Sequence, residues 1–195
     1  MSEAALSRDE RRARQRAASR AAILEAARTV AAREGARNLS LRGVAAEAGF
    51  APAALYSYFA DKDEMLLALA AEDLAQLSRA MREASGSGGR LAGAAAAALE
   101  LMRTNETFAA AQGALPSASG TSEAERLFNG RMIAALKVLA DAAGQKAESR
   151  SDQCDVVLVA ASLAGLALLA RSGRLGALGF TPEEILARLD ARFSA

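Results

Sequence analysis

The chain has 195 residues, 52% of them hydrophobic, a formal net charge of +1, no histidine, no tryptophan and one cysteine. That length accommodates a small module beside one sizeable core. Without histidine there is no His-dependent triad, zinc-protease motif or histidine base, and Cys154 alone allows neither an intrachain disulfide nor a cysteine metal cluster.

Abundant alanine and leucine with only three prolines favour an all-α fold, and no strand pattern or internal repeat is visible. The near-neutral total hides an asymmetry. Residues 1–62 carry 11 Lys/Arg against 7 Asp/Glu, whereas residues 63–195 carry 13 against 16. A basic front and an acidic rear suit a protein that meets a polyanion with one end only.

Residues 1–18 contain Arg8, Arg11, Arg12, Arg14 and Arg16 without an apolar stripe. They predict a mobile basic arm, assigned to 1–16, that reaches phosphates or a minor groove. No apolar h-region follows, so a cytoplasmic protein without a signal peptide is expected.

A first helix is predicted from about Ser19 to Glu34, with Ile23, Leu24, Ala27, Val30 and Ala31 on one face and Gly35 ending it. Ser40 caps a second helix over Leu41 to Ala48, Gly49 makes a turn anchored by Phe50, and Pro52 opens a third helix reaching Phe59. Leu55, Tyr58 and Phe59 should point inward and Tyr56 outward. This is the layout of a helix-turn-helix, a device that sets one helix in the major groove of DNA.

Asp61 and Glu64 form a capping-box pattern for a long helix from Lys62 to Ala84. SGSGG at 85–89 breaks the chain, and residues 90–113 form one or two helices interrupted near Thr104 and Asn105. After a loop at 115–122, Ser122 and Glu125 open a helix reaching Gly144, and another loop, QKAESRS, follows. An apolar helix spans about Asp152 to Ser172. Its uninterrupted run, Val156 to Ala170 but for Ser162, is short for a bilayer and reads as buried, with no membrane contact. Cys154 reads as a small buried residue in it. Thr181-Pro182-Glu183-Glu184 starts the last helix, giving about nine in all.

Taken together, Ile23-Leu24, Ala26-Ala27, Gly35, Ser40, Arg42, Val44-Ala45, Ala48-Gly49-Phe50, Leu55-Tyr56, Tyr58-Phe59 and Lys62 resemble the tetracycline-repressor-like (TetR) family of bacterial transcription regulators. The likeness covers about 45 residues; the rest of the chain matches in helix count, with SLAGLALLARSGRL resembling a dimerisation helix. It implies an all-helical homodimer, with a flexible arm at 1–16, a DNA-binding domain at 17–77 (motif about 40–59) and a ligand-binding and dimerisation domain at 78–195.

By this resemblance, Ser40 caps helix 2 and reaches a phosphate, Arg42 lies near the backbone or a base edge, Ala53 and Ala54 face bases, Tyr56 and Lys62 bind phosphates, and Ser57 sits at the groove. Arg14 and Arg16 of the arm complete the expected DNA contacts. The sequence departs from the family at Ala31, where phenylalanine is common, and at Ala51, Pro52 and Ser57, where a serine, a lysine and a histidine are frequent. Base reading therefore falls to Arg42, alanine contacts with thymine methyls, the arm and DNA shape.

In the rear part, Met102, Phe108, Phe128 and Met132 are candidates to line a pocket for an unknown small-molecule effector, with Arg103 and Arg131 nearby for an anion; ordinary core packing explains the same pattern. Val159, Ala161, Ser162, Gly165, Leu166 and Leu169 are candidates for a dimer seam, where Ala161 and Gly165 allow close approach. The expected function is a repressor that binds a near-palindromic operator in double-stranded DNA and is released by its ligand. The alternative is a helical dimer or adaptor with a degenerate DNA-binding head. No carboxylate pair, nucleophile with base, phosphate loop or metal cluster suggests an enzyme, and no cofactor or metal is expected.

Overall fold

The computed structural model describes residues 7–36, 38–86, 91–105, 122–145 and 149–194. Among them are nine helices and no strand: α1 (Arg8–Glu34), α2 (Leu41–Ala48), α3 (Pro52–Leu55), α4 (Lys62–Ser85), α5 (Leu91–Thr104), α6 (Glu123–Ala142), α7 (Arg150–Arg171), α8 (Arg174–Ala177) and α9 (Pro182–Phe193).

Helix α1 begins eleven residues before its expected start at Ser19. The segment from Arg8 is helix, not a loose arm. Ser7 and Glu10 form a reciprocal capping box, with the Ser7 amide donating to Glu10 Oε2 at 2.7 Å and the Glu10 amide to Ser7 Oγ at 3.2 Å. Arginine, alanine and glutamine then carry the helix forward largely on propensity, since residues 8–18 are all exposed.

Two cores share one helix. The front core gathers Ile23, Leu24, Val30, Val44, Leu55 and Phe59 around Met65 to Leu69 of α4. The rear core gathers Leu91, Ala98, Leu139, Val159 and Leu163 around Leu74, Leu77 and Met81 of the same α4. Helix α6 lies along α4, and its Phe128 touches both cores. The changeover occurs at Asp73, which is fully buried.

A buried carboxylate in an apolar setting must be paired. Arg28 of α1 donates to Asp73 Oδ1 and, at 3.1 Å, to Glu72 Oε2. The pair ties the head to the helix that both cores share. Burial is the largest single influence on Arg28 and lowers its pKa, but the hydrogen bonds and charges of Asp73 and Glu72 together outweigh it, and the net shift is upward.

The ends follow side-chain chemistry. Reciprocal capping boxes open α6 (Ser122/Glu125), α7 (Ser149/Asp152) and α9 (Thr181/Glu184). At α4, Asp61 Oδ1 accepts from the Glu64 amide at 2.8 Å, but Glu64 reaches back to the Ala60 amide, one residue beyond the expected partner. The N-terminus of α5 is satisfied from a distance, with Asp190 of α9 accepting from the Ala92 amide at 2.9 Å.

Helix α7 corrects two expectations. It is not buried all round: Val157, Leu158 and Leu168 are exposed. It is also longer than its apolar run, and by length and composition its 22 residues could cross a membrane, though Val156, Val159, Leu163, Leu166 and Ala167 pack into the subunit. Cys154, expected to be buried, is exposed, because it lies on the first turns of α7 beyond the packed stretch.

Candidate nucleic-acid interface and apolar cavity

The front of the molecule is built to hold a short exposed segment in a fixed place. Ser40 is extended and exposed, and its Oγ accepts from the Gly43 amide at 3.1 Å, which starts α2 and leaves the hydroxyl able to donate to an outside acceptor. Gly49 ends α2 in the left-handed region (φ 71°, ψ 28°), where a side chain is strained. The Phe50 amide then returns to Ala45 O at 2.9 Å, closing the turn.

Helix α3 is much shorter than expected. It stops at Leu55, and residues 56–58 form a turn instead of continuing to Phe59. Ala51 supplies no side-chain cap, and Pro52 only pre-sets the first turn. Tertiary contacts hold it. Leu55 and Phe59 are buried, and the Tyr58 ring meets Phe50 edge-on with centroids 6.5 Å apart.

The outward side chains are those a groove-binding segment needs. Tyr56 is 62% exposed. Ala53 is exposed and Ala54 half-buried. Ser57 is exposed, but its hydroxyl donates to Ala54 O at 2.7 Å. Arg42 is exposed on the first turn of α2 and forms no ion pair among the described residues. Lys62 is half-buried at the first position of α4. Arg14 is exposed on the projecting part of α1.

Arg16 is the exception. It turns toward α3, donating to Ser57 O at 2.6 Å with its guanidinium 5.0 Å from the centroid of the Tyr58 ring. One turn further on, Arg20 lies 5.0 Å over Phe59. Arg33 is committed elsewhere, bonded to Glu47 at 2.8 Å and Glu34 at 3.0 Å, which raise its pKa in that order.

Behind the head, α4, α5, α6 and α7 border a partly open cavity of about 300 Å³. Met102, Phe128 and Met132 line it with Leu74, Leu77 and Ala161; among the described residues no charged one does. Phe108 lies outside the described residues. Arg103 pairs with Glu100 at 2.9 Å and Arg131 is exposed, so neither supplies the anion site weighed for them.

The six seam candidates divide. Val159 and Leu166 are core residues of their own subunit and are unavailable to a partner, because the inward face of α7 runs through Val156, Val159, Leu163 and Leu166. Ala161, Ser162 and Gly165 are exposed, and Leu169 is half-buried. Leu158 and Leu168, missed in the sequence, continue the exposed face. Arg28, Glu72 and Asp73 were also missed. Their signal was present: Asp73 falls in the helical ladder Leu66, Leu69, Leu77 and Met81, where an acid marks a buried charge.

Residues 23–69, from the buried part of α1 into α4, match the family described as bacterial regulatory proteins, tetR family. A chain of Haemophilus influenzae described as an uncharacterized HTH-type transcriptional regulator is 36% identical over 126 residues, which span 63% of this chain and 61% of that regulator's length. The fold is shared with a TetR transcriptional regulator from Rhodococcus sp. RHA1 (TM-score 0.69, 20% identity, covering 92% of this chain and 97% of that one). It is shared also with the transcriptional regulator FadR from Bacillus subtilis, solved in complex with stearoyl-CoA (TM-score 0.59, 16% identity, covering 90% and 97%). The family's segment thus spans the helix-turn-helix, and the fold as a whole is one that these regulators share.

Proposed function

We propose that this protein is a cytoplasmic, sequence-specific transcriptional repressor that binds a near-palindromic site in double-stranded DNA as a homodimer and leaves it when an apolar small molecule occupies the rear cavity. The observation that carries the reading is the outward set on a rigidly held turn: Ser40, Arg42, Ala53 and Tyr56, with the buried faces of α2 and α3 locked into one core. Phosphate contacts from Ser40, Tyr56, Lys62 and Arg14 fix register, while Arg42, Ala53, Ala54 and Ser57 meet base edges.

The dimer reading rests on α7, whose exposed Leu158, Ala161, Ser162, Gly165 and Leu168 recur at helical spacing. A second copy packed there two-fold sets two heads about 34–36 Å apart, one turn of DNA, or a multiple of it. In this reading residues 17–77 are the DNA-binding domain and 78–195 the ligand-binding and dimerisation domain. The effector reading rests on the cavity lining, which offers aliphatic, methionine and phenylalanine surface and suits a hydrocarbon or acyl portion of a ligand. To release DNA, that ligand must bind one head spacing better than the other.

The test is unbiased selection of random short duplexes by the purified protein at moderate salt. A near-palindromic consensus is expected. If a folded dimer enriches no sequence and binds weakly even at low salt, the regulator reading fails and a helical adaptor with an inactive head takes its place.

A further inference from the structure

We infer that Arg16 is a positioning residue that clamps the recognition segment from its exposed side and does not bind DNA itself; this rests on the DNA-binding reading for its consequence, though not for its geometry. Helix α3 is a single turn of four residues without a side-chain N-cap, too short to hold its own conformation. Leu55 and Phe59 restrain its inner side.

On the outer side the restraint comes from α1. Arg16 Nη2 donates to Ser57 O at 2.6 Å, at the end of the turn, where carbonyls are turned outward and a cation is favoured. The same guanidinium faces the Tyr58 ring at 5.0 Å, and that ring in turn stands edge-on to Phe50 at the other end of α3. Arg16 thus reaches both ends of the segment through one aromatic pair. Arg20, four residues on, repeats the stack over Phe59 and aligns the two contacts along one face of α1. The early start of α1 has a purpose in this arrangement: Arg16 holds a fixed direction only because the helix is already formed at Arg8.

A clamp and a phosphate contact behave differently. A phosphate contact adds affinity for every duplex and raises the salt slope by about 0.9 per charge. A clamp sharpens the placement of Ala53, Ala54 and Ser57, the residues assigned to base edges, so it acts mainly on the selected sequence and leaves the slope alone.

The experiment compares the full chain with Arg16→Ala, Arg16→Lys, Tyr58→Leu and Arg14→Ala, measuring binding to the selected duplex and to a scrambled one across salt, with amide exchange on the free proteins. Arg16→Ala is expected to weaken the selected duplex about tenfold and the scrambled one less than about twofold, with the slope unchanged. Tyr58→Leu should do the same, and Arg16→Lys, which keeps a donor and a cation, should recover most of the loss. Arg14→Ala should weaken both duplexes alike and lower the slope. In the free protein, Arg16→Ala should speed exchange at Ser57, Tyr58 and Phe59 about fivefold or more, with Val44 and Ala45 of α2 unchanged.

Equal losses on both duplexes with a lower slope would make Arg16 a phosphate ligand and overturn the clamp. So would unchanged exchange at residues 57–59. Should the unmodified protein bind no duplex, the regulator reading falls, and the exchange arm alone decides the clamp.

Discussion

Replacing Arg28 by leucine tests whether the head is bolted to α4 by a desolvated charge pair. Asp73 is fully buried, while the Arg28 side chain keeps 20% of its surface in water and Glu72 keeps 42%. Removing one partner of a buried pair costs about 3–5 kcal/mol. Partial exposure of Arg28 lowers that figure, and the exposed Glu72 contact adds only about 0–0.5 kcal/mol. Arg28→Leu should therefore destabilise the protein by about 2–4 kcal/mol, lowering Tm by about 5–15 °C for a chain of this length. Urea and thermal unfolding followed by helical circular dichroism would measure it.

The companion variants separate charge from packing. Glu72→Ala should stay within about 0.5 kcal/mol of the unmodified chain. The double variant Arg28→Leu/Asp73→Leu should recover to within about 1 kcal/mol of the unmodified chain, because the stranded carboxylate is gone. The pKa of Arg28 is raised, so its stabilisation is complete below the unfolded value and is lost only as pH climbs through a range far above neutral. The pair should thus impose no slope through Arg28 between about pH 5 and 9. A loss under about 0.5 kcal/mol in Arg28→Leu, or a double variant no better than the single, would refute the argument that a desolvated pair holds this joint.

Four further outcomes follow from other sites. Gly93→Ala should cost about 1–3 kcal/mol in urea unfolding, since its new methyl would overlap the Ala84 carbonyl where α5 crosses the end of α4. Leu168→Glu, on the exposed face of α7, should shift the protein toward monomer in sedimentation while leaving the helical signal intact. Ala135→Phe, which projects a ring into the cavity, should abolish binding of an uncharged fluorophore such as N-phenyl-1-naphthylamine there, at a stability change of about 1–3 kcal/mol. Tyr56→Phe should weaken all duplexes by a similar factor, and a loss confined to one operator position would contradict its assignment to phosphate.

The helix-turn-helix was legible because its signals are local. Ser40 caps one helix, Gly49 supplies the one left-handed residue, and the apolar spacing fixes which faces meet. The two errors of extent also have local causes. Residues 8–18 have no apolar stripe, so periodicity was silent, and the Ser7/Glu10 box was the only start signal. Conversely, Leu55, Tyr58 and Phe59 keep helical spacing although the chain unwinds after Leu55, because inward spacing of 3 and 4 is also produced by a tight turn. Which apolar side of α7 faces inward could not be read, since Val157, Leu158 and Leu168 are as apolar as the residues that pack.

What no local signal could reveal is the joint between the parts. Arg28 and Asp73 lie 45 residues apart and meet only through the fold. On α4, Asp73 sits between Ala70 and Leu74, both of which line the cavity. Under the proposed function, a molecule that wedged the cavity would press on the same turn of α4 that Arg28 grips. The head can then respond in two ways: it follows α4 as a rigid body with the pair intact, or the pair breaks and the head swings free. Breaking the pair would add the cost of a stranded buried carboxylate to every switching event, about 2–4 kcal/mol. Rigid-body motion avoids that cost, so the bolt favours a head that travels with α4. Locking it harder should preserve switching, whereas Arg28→Leu should uncouple ligand from DNA before it abolishes either binding step.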